Sequence, residues 1–188
     1  MIASSTSSGY GLKNEIPLRE DMERDCLNPY AVTKVAAEDL ARMYYTLWDL
    51  PTVTFRYFNI YGEREPTKGQ YAPVVGLFLR QLGNNESLTI VGDGGQRRDF
   101  TNVADVVQAN MLAMSSEKEE VLGEVFNVGT GTNHSVLELA QMISDNYNFI
   151  PARPGEARNT LADIGKAQSL LGYKPTVKIS EWIKQKIT

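Results

Sequence analysis

Two adjoining patterns between residues 28 and 59 constrain the fold more than any other part of the chain. Pro29 suits the first turn of a helix, and apolar residues recur after it at near-helical spacing, which predicts a helix over residues 29–47. Residues 52–59 are rich in β-branched and aromatic side chains, a composition typical of a strand. Because residues 1–3 have the character of a buried strand end, the order strand, helix, strand predicts a βαβ unit and a parallel sheet.

The start of this helix carries a candidate catalytic pair. Tyr30 and Lys34 are four residues apart, so they share one face of the helix, one turn from each other. An ammonium close to a phenol favours the phenolate and lowers the phenol's pKa, which would make Tyr30 a general base near neutral pH. The alternative is a surface tyrosine and lysine on an amphipathic helix. The pair alone does not decide between them, because nine tyrosines produce this spacing easily by chance.

Two further features lie where such a sheet would bind ligands, at the carboxyl ends of its strands. The stretch 4–11 is rich in hydroxyl groups and glycine, so it would let a ligand approach the backbone closely and offer it hydroxyl donors. Its alternative is a flexible linker. Asn59 ends the second strand. Its alternative, and the more common one for a lone asparagine, is a turn residue that bonds its own backbone.

The remainder of the chain alternates loops with short periodic or β-rich segments. Arg97 and Arg98 follow a glycine turn and could grip phosphate, although solvated surface charge is the more common fate of such a pair. Arg153 lies in a second loop, whose alternative is a plain surface turn. The patterns predict helices over 73–82, 103–114 (capped by Asn102), 135–147 (capped by Ser135), 163–171 (capped by Asp163) and 179–187, and strands over 88–91 and 125–128.

Composition and charge argue against several classes of function. The 188 residues, 42% of them hydrophobic, suffice for one large or two small domains with a sizeable core. The formal net charge of -4 provides no global basic field for nucleic acid. The single cysteine, Cys26, excludes an intramolecular disulfide and fits a reducing compartment. With one cysteine and one histidine the chain lacks the ligands of a typical zinc site, and we expect no metal.

The sequence also argues against membrane insertion and export. No apolar run approaches the length that spans a membrane. The N-terminus lacks the basic region and the long apolar core of a signal peptide. We therefore expect a cytoplasmic protein whose partners include neither nucleic acid nor a membrane.

Five motifs resemble, in order and spacing, those of the extended short-chain dehydrogenase/reductase family, and within it the NAD-dependent nucleotide-sugar (UDP-sugar) 4-epimerases. Each motif alone is weakly specific, but the ordered set is strong and covers essentially the whole chain. The motifs are Ala-Ser-Ser-Thr to Tyr-Gly at residues 3–11, Pro-Tyr to Lys at 29–34, Arg-Tyr-Phe-Asn at 56–59, Gly-Asp-Gly to Arg-Asp-Phe at 92–100 and Arg-Pro-Gly-Glu at 153–156.

The resemblance implies an α/β fold: the C-terminal part of a Rossmann-type doubly wound parallel sheet plus a smaller α/β substrate-binding domain. Residues 1–62 and 101–131 would form the remainder of the dinucleotide-binding domain. Residues 63–100 and 132–188 would form the nucleotide-sugar domain. The family opens with a strand, a Gly-x-x-Gly-x-x-Gly turn and a helix that bind the NAD pyrophosphate. This chain contains no such turn, and about the first hundred residues of the family pattern are missing from it.

The resemblance also implies three catalytic residues. Tyr30 would take the proton from the sugar 4-hydroxyl while hydride passes to NAD. Lys34 would lower the pKa of Tyr30 and hold the nicotinamide ribose. Thr6 falls where the family has a serine or threonine that bridges the sugar hydroxyl and the tyrosine. Tyr57 would lie beside the nicotinamide, so the cofactor-binding residues would be Tyr30, Lys34 and Tyr57.

Nine residues, Thr6 among them, would bind the substrate by the same resemblance. Asn59 would contact the diphosphate region, Arg98 and Arg153 would hold the diphosphate, and Glu156 would contact the uridine ribose. A small residue at position 160, here Thr160, goes with acceptance of N-acetylated sugars in the family. The full set is Thr6, Ser7, Ser8, Asn59, Gln70 (a looser match in the substrate loop), Arg98, Arg153, Glu156 and Thr160.

The implied activity is NAD-dependent 4-epimerisation of a UDP-sugar, either UDP-glucose/galactose or the N-acetylated forms, through a 4-keto intermediate. Dehydrating relatives carry an Asp-Glu pair where this chain has Ser7 and Ser8, and the glutamate usual in decarboxylating relatives is also missing from this loop. The alternative is a non-catalytic nucleotide-sugar-binding or self-associating module. Its exposed sheet would be covered by a second copy or by the missing N-terminal half.

Overall fold

The computed structural model describes residues 1–67, 73–152 and 157–187. The helices are α1 (Pro29–Trp48), α2 (Val74–Gly83), α3 (Val103–Met114), α4 (Val136–Ile143), α5 (Gly165–Leu171) and α6 (Ile179–Ile187), with short 3-10 helices at Ser7–Tyr10 and Glu119–Val121. The strands are β1 (Ile2–Thr6), β2 (Val53–Tyr57), β3 (Ile60–Tyr61), β4 (Leu88–Val91), β5 (Arg97–Arg98), β6 (Thr101–Asn102), β7 (Val125–Val128), β8 (His134–Ser135) and β9 (Tyr147–Ile150).

The predicted βαβ unit is confirmed. β1, β2 and β7 form a three-stranded parallel sheet in the order β1-β2-β7, in which Thr6 is paired with Tyr57, and Tyr57 with Val128. β3 with β6 and β4 with β9 form two-stranded parallel sheets, while β5 and β8 are antiparallel. The α/β class with a parallel sheet is therefore as the sequence predicted.

Local signals explain why α1 begins where the sequence predicted. The side chain of Asn28 accepts a hydrogen bond from the amide of Ala31 at 2.9 Å, which satisfies one of the free amides of the first turn. Pro29 follows at a position where its missing amide hydrogen costs nothing. The helix ends at Asp49, whose backbone is left-handed and whose amide donates to the carbonyl of Tyr45 at 3.0 Å.

The buried apolar side chains form two clusters. The first packs around β1, β2, β7 and α5, and its largest members include Tyr10, Phe55, Phe58, Phe126 and Tyr173. The second packs α2, α4 and α6 against β4, and includes Tyr61, Phe78, Leu88, Ile90 and Leu139. The division of the chain into a dinucleotide and a nucleotide-sugar domain stays a prediction.

Three predicted boundaries are wrong, and in the first two a non-local contact overrides a local pattern. Ser135 caps α4 in a capping box with Glu138, but this helix ends at Ile143 rather than near Tyr147. The residues after it form β9, which pairs in parallel with β4. β1 extends to Thr6, where pairing with β2 continues past the predicted strand end. The N-cap of α5 is Ile164, whereas Asp163 only accepts a bond from the amide of Gly165 at 2.8 Å.

A buried ion pair ties α1 to the centre of the sheet. Glu38 on α1 and Arg56 on β2 are both buried, and the guanidinium donates two hydrogen bonds to the carboxylate, at 3.0 Å from Nε and 2.6 Å from Nη2. Arg24 adds a third contact to the same carboxylate at 3.1 Å. Glu38 and Arg56 are removed from water, so loss of either charge would leave the other buried and uncompensated.

We predict that Glu38→Gln lowers the free energy of unfolding by about 3 kcal/mol or more, because it leaves Arg56 buried without a counter-charge. The matched control is Asp39→Asn, one residue along the helix. It removes the exposed pair between Asp39 and Arg24 (2.6 Å) and should cost less than about 1 kcal/mol. Urea unfolding of both variants measures the difference, and equal losses would contradict the prediction.

Candidate active site

Five of the predicted substrate residues line one cavity of about 160 Å³. They come from four separate parts of the chain, so only the tertiary fold brings them together. The cavity is lined by Ser7, Ser8, Asn59, Arg98 and Thr160, together with Tyr10, Gly11, Leu18, Leu27, Asn28 and Ala157. Their individual roles stay predictions.

The parallel pairing of β1 and β2 places the first three of these residues. Ser7 and Ser8 begin the 3-10 helix that follows the last residue of β1, and Asn59 follows the last residue of β2 by two positions. The carboxyl ends of parallel strands lie at the same edge of a sheet, so these side chains converge. Thr6 is buried just below them, with its hydroxyl 3.2 Å from the hydroxyl oxygen of Ser8.

The predicted catalytic pair lies on the first turns of α1. The ammonium of Lys34 donates to the backbone carbonyl and to the hydroxyl of Ser4 on β1, each at 3.1 Å. The side chain of Tyr30 is 55% exposed. Asn28, two residues before Tyr30, lines the cavity, so the N-terminal end of α1 borders it.

The two adjacent arginines have different surroundings. Arg97 donates to the carboxylate of Glu138 at 3.0 and 3.2 Å and to the side chain of Asn133 at 2.8 Å, so its guanidinium holds α4 and the loop before it in place. Arg98 lines the cavity, and one of its guanidinium nitrogens donates to the carbonyl of Arg97 at 2.9 Å. Only Arg98 of this pair is placed to meet a ligand in the cavity.

Thr160 brings a buried hydroxyl to the opposite wall. Its amide donates to the carbonyl of Arg97 at 3.1 Å, and its carbonyl accepts from Asn133 at 3.1 Å, so its backbone is fixed. Its hydroxyl is buried and has no hydrogen-bond partner among the described residues. Buried polar groups are nearly always satisfied, and a hydroxyl left over beside a cavity suits a ligand.

Among the described residues, Thr6, Tyr30, Lys34 and Tyr57 are not part of this cavity lining. The hydroxyl of Tyr57 lies 3.0 Å from the side-chain nitrogen of Asn110 on α3, and burial raises the pKa of this tyrosine. Its predicted place beside the nicotinamide stays a prediction. Gln70, Arg153 and Glu156 lie outside the described residues.

Sequence reasoning did not single out Tyr10 and Leu18, which line the cavity. The hydroxyl of Tyr10 donates to Asn127 at 2.7 Å, the guanidinium of Arg56 lies 4.8 Å from its ring centre, and burial raises its pKa to about 12. Leu18 is buried within a polar surface segment. The signals available from the sequence were the place of Tyr10 in the motif at residues 3–11 and the short apolar run Ile16 to Leu18 within a polar segment.

A second buried carboxyl lies beside the N-terminal turns of α2. Both carboxyl oxygens of Glu65 are buried. A Cβ atom at Gly76 would lie 2.9 Å from Glu65 Cγ and Oε1, so this close approach requires glycine. Burial raises the pKa of Glu65 to about 7. The folded state therefore holds a proton that the unfolded state has already lost.

We predict that Glu65 makes stability fall as the pH rises from about 4.5 to about 7, because the native state binds the extra proton in that window. In Glu65→Gln this contribution is absent. The stability of the variant relative to the wild type should therefore increase steadily across the window. Urea unfolding at pH 5, 6 and 7.5 measures this, and parallel stability curves for the two proteins would contradict it.

The described residues contain neither a membrane-spanning helix nor a cluster of metal ligands. Within residues 1–67, 73–152 and 157–187, no helix is long and apolar enough to cross a membrane. No three histidine, cysteine, aspartate or glutamate side chains of that part of the chain are grouped to hold a metal ion. The cytoplasmic location stays a prediction.

Comparison with known proteins gives the family. The profile of the family described as GDP-mannose 4,6 dehydratase matches residues 1–186. The chain is 36% identical over 191 residues to a putative UDP-glucose 4-epimerase of Methanocaldococcus jannaschii, covering 98% of this chain and 60% of that protein. It is also 36% identical over 190 residues to a UDP-glucose 4-epimerase of Mycolicibacterium smegmatis, covering 98% and 59%.

Solved structures show the same fold. The chain matches a UDP-glucuronic acid 4-epimerase from Bacillus cereus, in complex with UDP-glucuronic acid and NAD, with a TM-score of 0.88 and 36% identity over 99% of this chain and 59% of that one. It matches a UDP-N-acetylglucosamine 4-epimerase from Methanobrevibacter ruminantium, in complex with UDP-N-acetylmuramic acid, with a TM-score of 0.91 and 32% identity over 99% and 61%.

The chain spans about 60% of the length of the relatives it matches. The family profile nevertheless covers nearly all of its residues. The similar proteins named above are all nucleotide-sugar 4-epimerases. This chain therefore belongs to the GDP-mannose 4,6 dehydratase family, within the extended short-chain dehydrogenase/reductases.

Proposed function

We propose that the chain supplies the sugar-binding and proton-transfer part of an NAD-dependent UDP-sugar 4-epimerase. The observation that carries the proposal is a cavity at the carboxyl ends of β1 and β2, where Ser7, Ser8, Asn59, Arg98 and Thr160 meet. The relatives support epimerisation, since several are UDP-sugar 4-epimerases. Although the family takes its description from a dehydratase, Ser7 and Ser8 provide no acid for elimination.

The residues around the cavity suit a proton transfer at a sugar hydroxyl. Tyr30 is proposed as the general base, with Lys34 beside it on the same helix face and held by Ser4. Thr6 is proposed to bridge the sugar hydroxyl and Tyr30. Its hydroxyl already lies 3.2 Å from that of Ser8, so hydroxyl groups continue from the buried strand end into the cavity.

The cofactor proposal is NAD, whose chemistry is to accept the hydride from C4 of the sugar and to return it to the other face. A structural relative holds NAD together with its UDP-sugar. The residues of this chain that would contact the nicotinamide and its ribose are Tyr30, Lys34 and Tyr57. They fit that half of the cofactor, since Lys34 offers an ammonium fixed against β1. A glycine turn for the pyrophosphate is absent from the sequence.

The cavity wall suits a UDP-sugar at both ends. Arg98 provides a cation for the diphosphate, and the proposed partners of the diphosphate and uridine also include Arg153 and Glu156. Thr160 is small, which leaves room for an N-acetyl group on the sugar. Binding through the nucleotide, away from the reacting carbon, would leave the 4-keto sugar free to turn over between the two hydride transfers.

A second function has one specific observation in its favour. Leu40, Leu47 and Trp48 on α1 are 53%, 62% and 60% exposed, and in the described ranges β1 pairs with β2 alone. An open sheet edge beside exposed apolar side chains suits a covering partner. As it stands, the chain could therefore be a non-catalytic nucleotide-sugar-binding or self-associating module, covered by a second copy or by the missing N-terminal half.

Calorimetric titration of the chain with NAD, followed by an epimerase assay with UDP-glucose, separates the two functions. The enzymatic proposal expects NAD binding with a micromolar dissociation constant and turnover of UDP-glucose. Binding of UDP-glucose without NAD binding or turnover would support the non-catalytic module. If neither ligand bound, the cavity would not be a nucleotide-sugar site in this chain.

We predict that Tyr30→Phe lowers turnover about 10²–10⁴-fold, the range of general acid–base catalysis, while the affinity for UDP-glucose is retained. The matched control is Tyr44→Phe, an exposed tyrosine on the same helix, which should leave turnover unchanged. Unaltered turnover in Tyr30→Phe would remove this residue from the catalytic assignment.

We predict that Thr160→Tyr weakens binding of UDP-N-acetylglucosamine about tenfold more than binding of UDP-glucose, because the ring would fill the space beside the sugar. Thr46→Tyr, on the exposed side of α1, is the control and should change neither affinity. Titration of each variant with both ligands measures the ratio. An equal loss for the two ligands would contradict a role of Thr160 in accepting the N-acetyl group.

A further inference from the structure

The side chain of Asn127 connects three segments that are far apart in the sequence. This residue of β7 is fully buried. Its Oδ1 accepts a hydrogen bond from the hydroxyl of Tyr10 at 2.7 Å. Its Nδ2 donates to the carbonyl of Leu18 at 2.8 Å and to the carbonyl of Asp163 at 3.1 Å. Both amide protons and the amide oxygen are therefore used.

These partners belong to the two walls of the cavity. Tyr10 and Leu18 line one wall, and Thr160 lines the other, two residues before Ala162. The walls meet at a short parallel bridge in which the amide of Leu18 donates to the carbonyl of Leu161 at 2.8 Å, and the amide of Asp163 donates to the carbonyl of Leu18 at 2.9 Å. Asn127 holds both sides of this junction.

The backbone of Asn127 fixes the same wall a second time. Its amide donates to Glu20 Oε1 at 2.7 Å, two residues after Leu18. Arg56 donates to the carbonyl of Glu20 at 3.2 Å. The segment that carries Leu18 is therefore attached to two neighbouring strands by buried polar groups, which are costly to leave unsatisfied.

We propose that Asn127 is a positioning residue that sets the distance between the two cavity walls, and thereby the fit of the nucleotide sugar between Leu18 and Thr160. Asn127 is not among the residues that line the cavity. It acts through the junction of Leu18 with Asp163. The predicted effect of Asn127 on ligand binding rests on the proposed function. Its predicted effect on the distance between the two walls does not.

The test is Asn127→Asp, which keeps the shape but places a carboxylate against two carbonyl oxygens. NMR hydrogen exchange of the Leu18 and Asp163 amides should become at least about tenfold faster, and titration should show UDP-glucose binding at least about tenfold weaker. The matched control is Gln81→Glu, the same change at a buried amide of the second apolar cluster, which bonds Thr89 at 3.0 Å. It should leave exchange at the two amides unchanged.

Tyr10→Phe is the second variant, and it keeps the proposal testable if Asn127→Asp does not fold. It removes the hydroxyl that donates to Asn127, a hydroxyl that also interacts with Arg56, and should speed exchange at the same two amides by a smaller factor. Unchanged exchange in a folded Asn127 variant, or an equal acceleration in Gln81→Glu of similar global stability, would overturn the proposal. Failure of the wild type to bind UDP-glucose would instead overturn the proposed function, because the exchange result does not depend on a ligand.

Discussion

The parallel pairing of β1 with β2 is the interaction on which the rest of the site depends. It sets Thr6 beside Tyr57, so the segments that leave the two strands emerge at the same edge of the sheet. Ser8 and Asn59 reach one cavity for this reason. The anchor of α1 on β1, through Lys34 and Ser4, then brings the first turn of the helix to the same edge.

Buried polar side chains fix the loops around the cavity. Asp99 is fully buried and accepts hydrogen bonds from the amides of Thr130 at 2.8 Å, Gly131 at 3.0 Å and Ala162 at 3.2 Å. Asn127 donates to the carbonyls of Leu18 and Asp163, so it holds both sides of the junction between the walls. Loops have few hydrogen bonds of their own, so a buried side chain that satisfies several backbone groups fixes their shape. The walls are thus defined by two side chains beneath them.

The exposed surface of α1 lies on the helix that carries the predicted catalytic pair, and that helix packs on β1, an edge strand of the described sheet. One face of the helix packs on the sheet through Ala31, Glu38 and Ala41, while Leu40 and Leu47 lie exposed on the other. A helix with apolar residues on both faces suits a position between two layers. The chain spans about 60% of the length of its relatives, which agrees with a second layer over this helix. Whether the chain is active therefore depends on what covers β1 and α1.

The sequence by itself determined the elements whose signals are local. The proline that starts α1, the Ser135 cap of α4 and the β-rich run of β2 all appear where they were predicted, because each depends on neighbouring residues. The family resemblance also pointed to five of the cavity residues. Only the tertiary structure decided what depends on distant contacts. β9 exists because it pairs with β4, and Asn127 matters because Leu18 and Asp163 meet above it. Local sequence patterns do not reveal which distant residues come into contact. The composition of the cavity walls could therefore be known only from the tertiary structure.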